Sequence, residues 1–121
     1  MPLFYSHQPD EEVTINQQFI ELDNWIEHFE FIAKELNYLI KLIHILQFKN
    51  NFNLELMNKK EENNYLLSLF YDFRNKSENS LECMDIPYDM YYVNQQELYR
   101  EQYLIFIRGY RKFKTEILSK L

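Results

Sequence analysis

"IRGYRKF", residues 107–113, holds the only glycine of the chain, set among alternating basic and aromatic residues. Its reading decides the fold. As a strand it would offer rings and cations to a nucleic acid; as helix it belongs to a longer pattern in which Tyr99, Tyr103, Phe106, Tyr110, Phe113 and Ile117 recur at steps of four, three, four, three and four. That alternation is the period of one helix face, not of a strand. Five rings in one seam predict a buried face, with Ile107, Leu118 and Leu121 widening it and Arg108, Arg111 and Lys112 pointing away.

The strand signature of an RNA-recognition motif asks for a basic residue, glycine, an aromatic and a small residue, then Phe, Val, any residue and an aromatic. Arg108, Gly109 and Tyr110 fit it, but Arg111, Lys112, Phe113 and Thr115 do not. Helix is therefore the reading for 94–120. Gly109 then sits mid-helix at a cost of about 1 kcal/mol against Ala, and the expected reason is a ring or neighbouring helix packed close against it.

The same logic runs upstream. Phe19, Leu22, Ile26, Phe29, Ala33, Leu36, Ile40 and Ile43 form a seam, with Trp25, Ile32, Leu39 and Leu46 as a second stripe beside it. A face that wide suits a globular bundle. The opposite side carries Asp23, Glu27, Glu30, Lys34 and Lys41, where Glu30 and Lys34 have the spacing of a helix-surface pair. Thr14 with Gln17, and Asn16, are start signals, so the first helix is expected over 15–49. Asparagines in "KNNFN" end it and cap the next. "YLLSLFYDF" places Leu66, Leu69 and Phe73 on one face, whereas "LELMNKKEENN" keeps no clean apolar period. The second helix is set at 53–76, its first half solvated or irregular. "SENSLECMDIPYDM" reads as loop, 77–93. Asn94, Glu97, Val93 and Leu98 supply a capping box and staple for the last helix.

Only one Gly and three Pro in 121 residues leave little material for the tight turns of a sheet protein. The fold class is all-α: one domain, 1–121, an antiparallel bundle of three long helices with an extended arm at 1–13 and a long loop before the last helix. With 17% aromatic residues, ten Tyr and ten Phe among them, burial does not limit stability.

Charge is uneven. Residues 1–50 carry eight acids against three bases, 51–90 eight against four, and 91–121 three against six, within a net −6. In an up-down-up bundle the first and third helices run parallel, which sets acidic beside basic. The single cysteine, Cys83, excludes an intrachain disulfide and suits a reducing, cytoplasmic setting. The apolar run "LNYLIKLIHILQF" is interrupted by Lys41 and His44 and is shorter than the roughly 20 residues of a membrane span.

Chemistry-bearing patterns are sparse. No His has a Glu three residues before it, as a ferritin-like di-metal site requires. Glu21, His28 and Glu35 share a face but stand about 10.5 Å apart along the axis, too far to hold one ion, so His28 reads as a surface residue on a polar stripe. Cys83 lies between Glu82 and Asp85, and carboxylates disfavour a thiolate. A phosphate-cradling loop needs more than one glycine. No catalytic, metal or cofactor residue is assigned, and a non-enzymatic protein is expected.

The expected function is that of a helical interaction or assembly protein that pairs with itself, a homodimer first, because seams including Trp25 and Ile45 leave apolar surface on a lone chain. Phe4 and Tyr5 in the arm, Trp25, and Tyr88, Tyr91 and Tyr92 at the loop are the expected partner contacts. The alternative is a nucleic-acid-associated regulator using Arg100, Arg108, Arg111, Lys112 and Lys114 on the last helix.

Overall fold

The computed structural model describes residues 7–46, 52–83 and 90–120, with side chains placed for 15–46, 52–81 and 91–120. Three helices make up the fold: α1 (His7–Leu46), α2 (Phe52–Cys83) and α3 (Met90–Ser119). The all-α expectation holds, and no strand occurs among the described residues. No helix among them is long and apolar enough to cross a membrane.

Directions follow from which residues meet. Between α1 and α3, Gln96 bonds Glu21, Tyr103 bonds His28 and Tyr110 bonds Glu35, each pair 75 residues apart. A constant difference means parallel helices. Between α2 and α3, Phe52 meets Phe113, Lys59 lies over Phe106 and Phe73 meets Tyr92, and each pair of numbers adds to 165. A constant sum means antiparallel helices. The chain therefore goes up, down and up.

The core is the predicted seams brought together, except that Leu46 and Leu118, expected in them, are exposed at the helix ends. Leu22, Trp25, Phe29, Ile32, Leu36, Leu39 and Ile43 of α1 are buried at alternating steps of three and four, with Ile26 beside them. From α3 come Phe106, Tyr110, Phe113 and Ile117, with Tyr99 and Tyr103 partly covered. The centre is aromatic. Phe29 packs edge-on against Phe70 at 4.9 Å and Tyr103 at 5.7 Å, while Trp25 stacks on Tyr103 at 5.5 Å. Such ring pairs contribute about 0.5–1.5 kcal/mol beyond the area they bury.

α2 departs from expectation in its first half, which is regular helix. Its buried row is Phe52, Leu56, Lys59, Asn63, Leu66, Phe70, Phe73 and Ser77, of which only Lys59 keeps substantial exposure. The steps are four, three, four, three, four, three and four. Polar side chains at three of these positions hide the period from a hydropathy reading. Asn63 is fully buried and donates from Nδ2 to the Phe29 carbonyl at 2.9 Å, while its Oδ1 has no partner.

Helix ends also differ. α1 starts at His7, so 7–13 is helix and not arm; Pro9 falls in the first turn, where an N–H has no intrahelical acceptor to lose. α2 continues through 77–83, where the sequence predicts loop. Ser77 extends the buried row, and Arg74 reaches Glu78 at 2.6 Å one turn on while also gripping Asp23 of α1. α3 begins at Met90, which leaves Asn94 inside it and Leu98 exposed. An asparagine inside a helix costs only a few tenths of a kcal/mol, less than the extra turn gains where Tyr92 packs on Phe73 at 6.2 Å. Glu30 does not pair with Lys34; it accepts the Tyr71 hydroxyl across to α2. The rest of the expected loop, 84–89, and the end of α1 at 47–49 lie outside the described residues.

Gly109 is a further correction. A Cβ built there would meet nothing nearer than the Lys59 ammonium, at 3.6 Å. That is ordinary contact with the free end of a flexible side chain, so neither a ring nor a helix backbone requires the glycine.

Candidate functional site

Heptad spacing on two parallel helices places like positions side by side, one rung every seven residues. Glu21, His28 and Glu35 on α1 face Gln96, Tyr103 and Tyr110 on α3, with rungs about 10.5 Å apart. In the first rung Glu21 accepts from Arg100 at 2.9 and 2.6 Å and from Gln96 at 3.1 Å, and Gln96 also donates to the Gln18 carbonyl at 2.9 Å. In the second the Tyr103 hydroxyl lies 2.6 Å from His28 Nδ1. In the third Glu35 accepts from Tyr110 at 2.6 Å and from Lys114 at 2.7 Å.

Electrostatics follow from these partners. The Arg100 hydrogen bond outweighs burial and, with Gln96, holds the Glu21 carboxyl below its usual range. Burial pushes Glu35 up, but the bonds from Lys114 and Tyr110 together overcome it and leave it lowered. Burial, then the Arg111 charge, lowers His28 against the pull of Glu35. Tyr103 is raised by burial, so its hydroxyl keeps its proton beside the His28 ring. Tyr110 is raised strongly, first by burial and then by Glu35. Proton transfer near neutrality needs groups that titrate there; Tyr103 is moved further away. The ladder's chemistry is suited to fixing the register of α1 on α3.

The sequence reading saw Glu21, His28 and Glu35 on one face but took it for a solvated stripe. The signal it missed is the matching repeat Gln96, Tyr103 and Tyr110, which shows its meaning only once α3 is laid parallel to α1. The acidic-beside-basic pairing of these helices is present, yet its acids are Glu21 and Glu35, not the outer set. Among the described residues no three His, Cys, Asp or Glu side chains are grouped to hold a metal ion.

The expected cation set divides. Arg100 and Lys114 are engaged with Glu21 and Glu35, and the Arg100 guanidinium also lies 5.7 Å over the Trp25 ring. Arg108, Arg111 and Lys112 are exposed and, at the i, i+3 and i+4 spacing of one helix, share a face of α3.

The expected partner contacts divide too. Trp25 is only 6% exposed and its faces are taken by Tyr103 and Arg100, so it serves the core of its own chain and is not available to a partner. The physical reason is position: it falls in the core row between Leu22 and Phe29. Tyr91 is exposed and Tyr92 half-buried against Phe73. Phe4, Tyr5 and Tyr88 lie outside the described residues.

Exposed apolar surface appears elsewhere, in a row of which the sequence reading singled out only Ile45. Phe31, Tyr38 and Ile45 stand seven residues apart on the outer side of α1 at 57%, 66% and 72% exposure. They adjoin the ladder positions and are flanked on the free side by Glu27, Lys34 and Lys41. The signal was in the sequence as a third apolar stripe on a helix already full.

No protein-family model, no curated protein and no solved structure matches the chain.

Proposed function

We propose that this protein is a non-enzymatic interaction protein that self-associates through the outer face of α1. The observation that carries this reading is the exposed heptad row Phe31, Tyr38 and Ile45 on a helix whose inner face is already filled. Rows of this kind are the usual seam of helix-on-helix docking.

Charge chooses the occupant. Along the free flank Glu27 is acidic while Lys34 and Lys41 are basic. A parallel second copy would oppose each with itself. An antiparallel copy centred near residue 34 sets Phe31 against Tyr38 and brings Glu27 to Lys41 twice, at the cost of one Lys34 pair that can splay into solvent. Exposed pairs contribute only about 0–1 kcal/mol each; they select direction, and the rings supply the affinity.

Light scattering on the full chain tests it. Twice the 15.1 kDa chain mass is expected at micromolar concentration, reduced to the single mass in Tyr38→Glu/Ile45→Glu with unchanged helicity. Glu27→Lys weakens the dimer and adding Lys41→Glu restores it. A wild-type chain that stays at single mass at about 100 µM, well above the Kd of a standard interface, overturns the reading. Retention of RNA or DNA at low salt, lost in Arg108→Glu/Arg111→Glu, would put the nucleic-acid reading in its place.

A further inference from the structure

Residues 102–115 of α3 contain no acid and four bases. Lys114 is turned to Glu35. That leaves Arg108, Arg111 and Lys112 exposed, and none of these three makes an ion pair among the described residues. Leu104 and Ile105 stand on the same side, at 39% and 61% exposure. At 3.6 residues per turn, positions 104, 105, 108, 111 and 112 fall within about a third of the helix circumference and about 12 Å of its length. The face is held in place from behind, because Phe106, Ile107, Tyr110 and Phe113 are buried in the core.

We propose that this face of α3 docks on the surface of an anionic lipid bilayer, with Leu104 and Ile105 entering the headgroup layer and Arg108, Arg111 and Lys112 meeting the anionic headgroups.

The mixture of side chains selects the occupant. A nucleic acid would use the cations alone: phosphates gain nothing from Leu104 and Ile105, and the rings on which bases could stack, Tyr103, Phe106, Tyr110 and Phe113, pack into the core. An acidic protein needs more area, since a standard interface engages about 20–30 residues a side and this convex strip is far smaller. A bilayer asks for neither. It presents a flat anionic surface over an apolar layer, and long cationic side chains lay their stems beside the aliphatic pair while their charges stay with the headgroups. The acids elsewhere in the chain do not prevent the approach, because exposed charges more than about 8 Å apart are largely screened at physiological salt. The outer row of α1 is a different surface, so the proposal does not rest on self-association.

Sedimentation of the full chain with lipid vesicles tests it. At low ionic strength the chain is expected to sediment with vesicles of equal phosphatidylserine and phosphatidylcholine, to stay in solution with phosphatidylcholine alone, and to be released by added salt. Arg108→Gln/Arg111→Gln/Lys112→Gln weakens partitioning about a hundredfold, at about fivefold per charge. Ile105→Ser weakens it about fivefold and leaves the salt dependence unchanged, which separates insertion from plain charge attraction. All four positions are exposed, and unchanged circular dichroism is expected to show that the variants keep their helices. No sedimentation with the anionic vesicles, equal sedimentation with phosphatidylcholine alone, or partitioning indifferent to either variant overturns the proposal. So does retention of DNA or RNA by a chain that leaves the vesicles alone, which would assign the face to nucleic acid.

Discussion

Gly109 illustrates how a residue can be expensive without being required. Its backbone is helical, the space beside it ends in the tip of Lys59, and glycine costs about 1 kcal/mol against Ala in a helix interior. Gly109→Ala is expected to raise stability by about 0.5–1 kcal/mol, seen as a melting temperature higher by about 2–5 °C; a lower one would show a contact that the geometry lacks. His28 carries a signed pH dependence. Burial and Arg111 hold its folded pKa below the unfolded value near 6.5, so the folded state binds its proton more weakly than the unfolded chain does. The stability that comes from neutral His28 is whole above about pH 6.5 and is lost as pH falls below it. The lowered carboxyls of Glu21 and Glu35 act in a separate window: their contribution is whole above the unfolded value of 4.5 and goes as pH falls through their folded pKa values. Stability in urea unfolding is therefore expected to fall from pH 7.5 to 4.5 in the wild type and to flatten in His28→Gln, which keeps a hydrogen-bonding side chain beside Tyr103 but cannot titrate. An unchanged slope in that variant would assign the loss to other groups.

At the level of the helix, α2 shows that an element can have perfect spacing and imperfect chemistry. Lys59, Asn63 and Ser77 occupy positions of the buried row, and both Asn63 Oδ1 and Ser77 Oγ lack a partner. Asn63 thus contributes little to stability, its one bond offset by a desolvated oxygen, while a polar group at a core position can specify register. Asn63→Leu, close in size, is expected to raise the guanidinium midpoint by an amount equivalent to about 1 kcal/mol; a lower midpoint would mean that the Phe29 bond outweighs the unpaired oxygen. The third rung joins two elements and is testable as a pair. Lys114→Glu sets two half-buried carboxylates together and is expected to cost about 1–2 kcal/mol. Adding Glu35→Lys recovers part of this if the rung acts through charge. No coupling in that double-mutant cycle would reduce the ladder to packing.

For the whole molecule, the proposed self-association carries a thermodynamic signature. Pairing stabilises only the folded state, so the melting temperature of the wild type is expected to rise with protein concentration, and that of Tyr38→Glu/Ile45→Glu to stay constant. A concentration-independent wild type would leave the exposed α1 row without a second copy. Much of this architecture was legible in the chain itself: three helices, their seams and the parallel course of the first and last follow from periodicity and from the near absence of glycine and proline, because which face is apolar is a local property of the sequence. Helix ends were less legible. Thr14, Asn94 and Ser77 offer capping or turn chemistry, but whether a helix stops there depends on what the next turn would touch. Trp25 and His28 were misplaced for the same reason, the one looking available and the other solvated until α3 was set beside them. The sequence alone therefore determined that this protein is helical and which seams of α1 and α3 turn inward. Only the tertiary structure decided which polar residues are rungs and which rings remain outside, since those depend on register between helices, and register is settled by contacts between residues far apart in the chain, 34 residues for Asn63 with Phe29 and 75 for Tyr103 with His28.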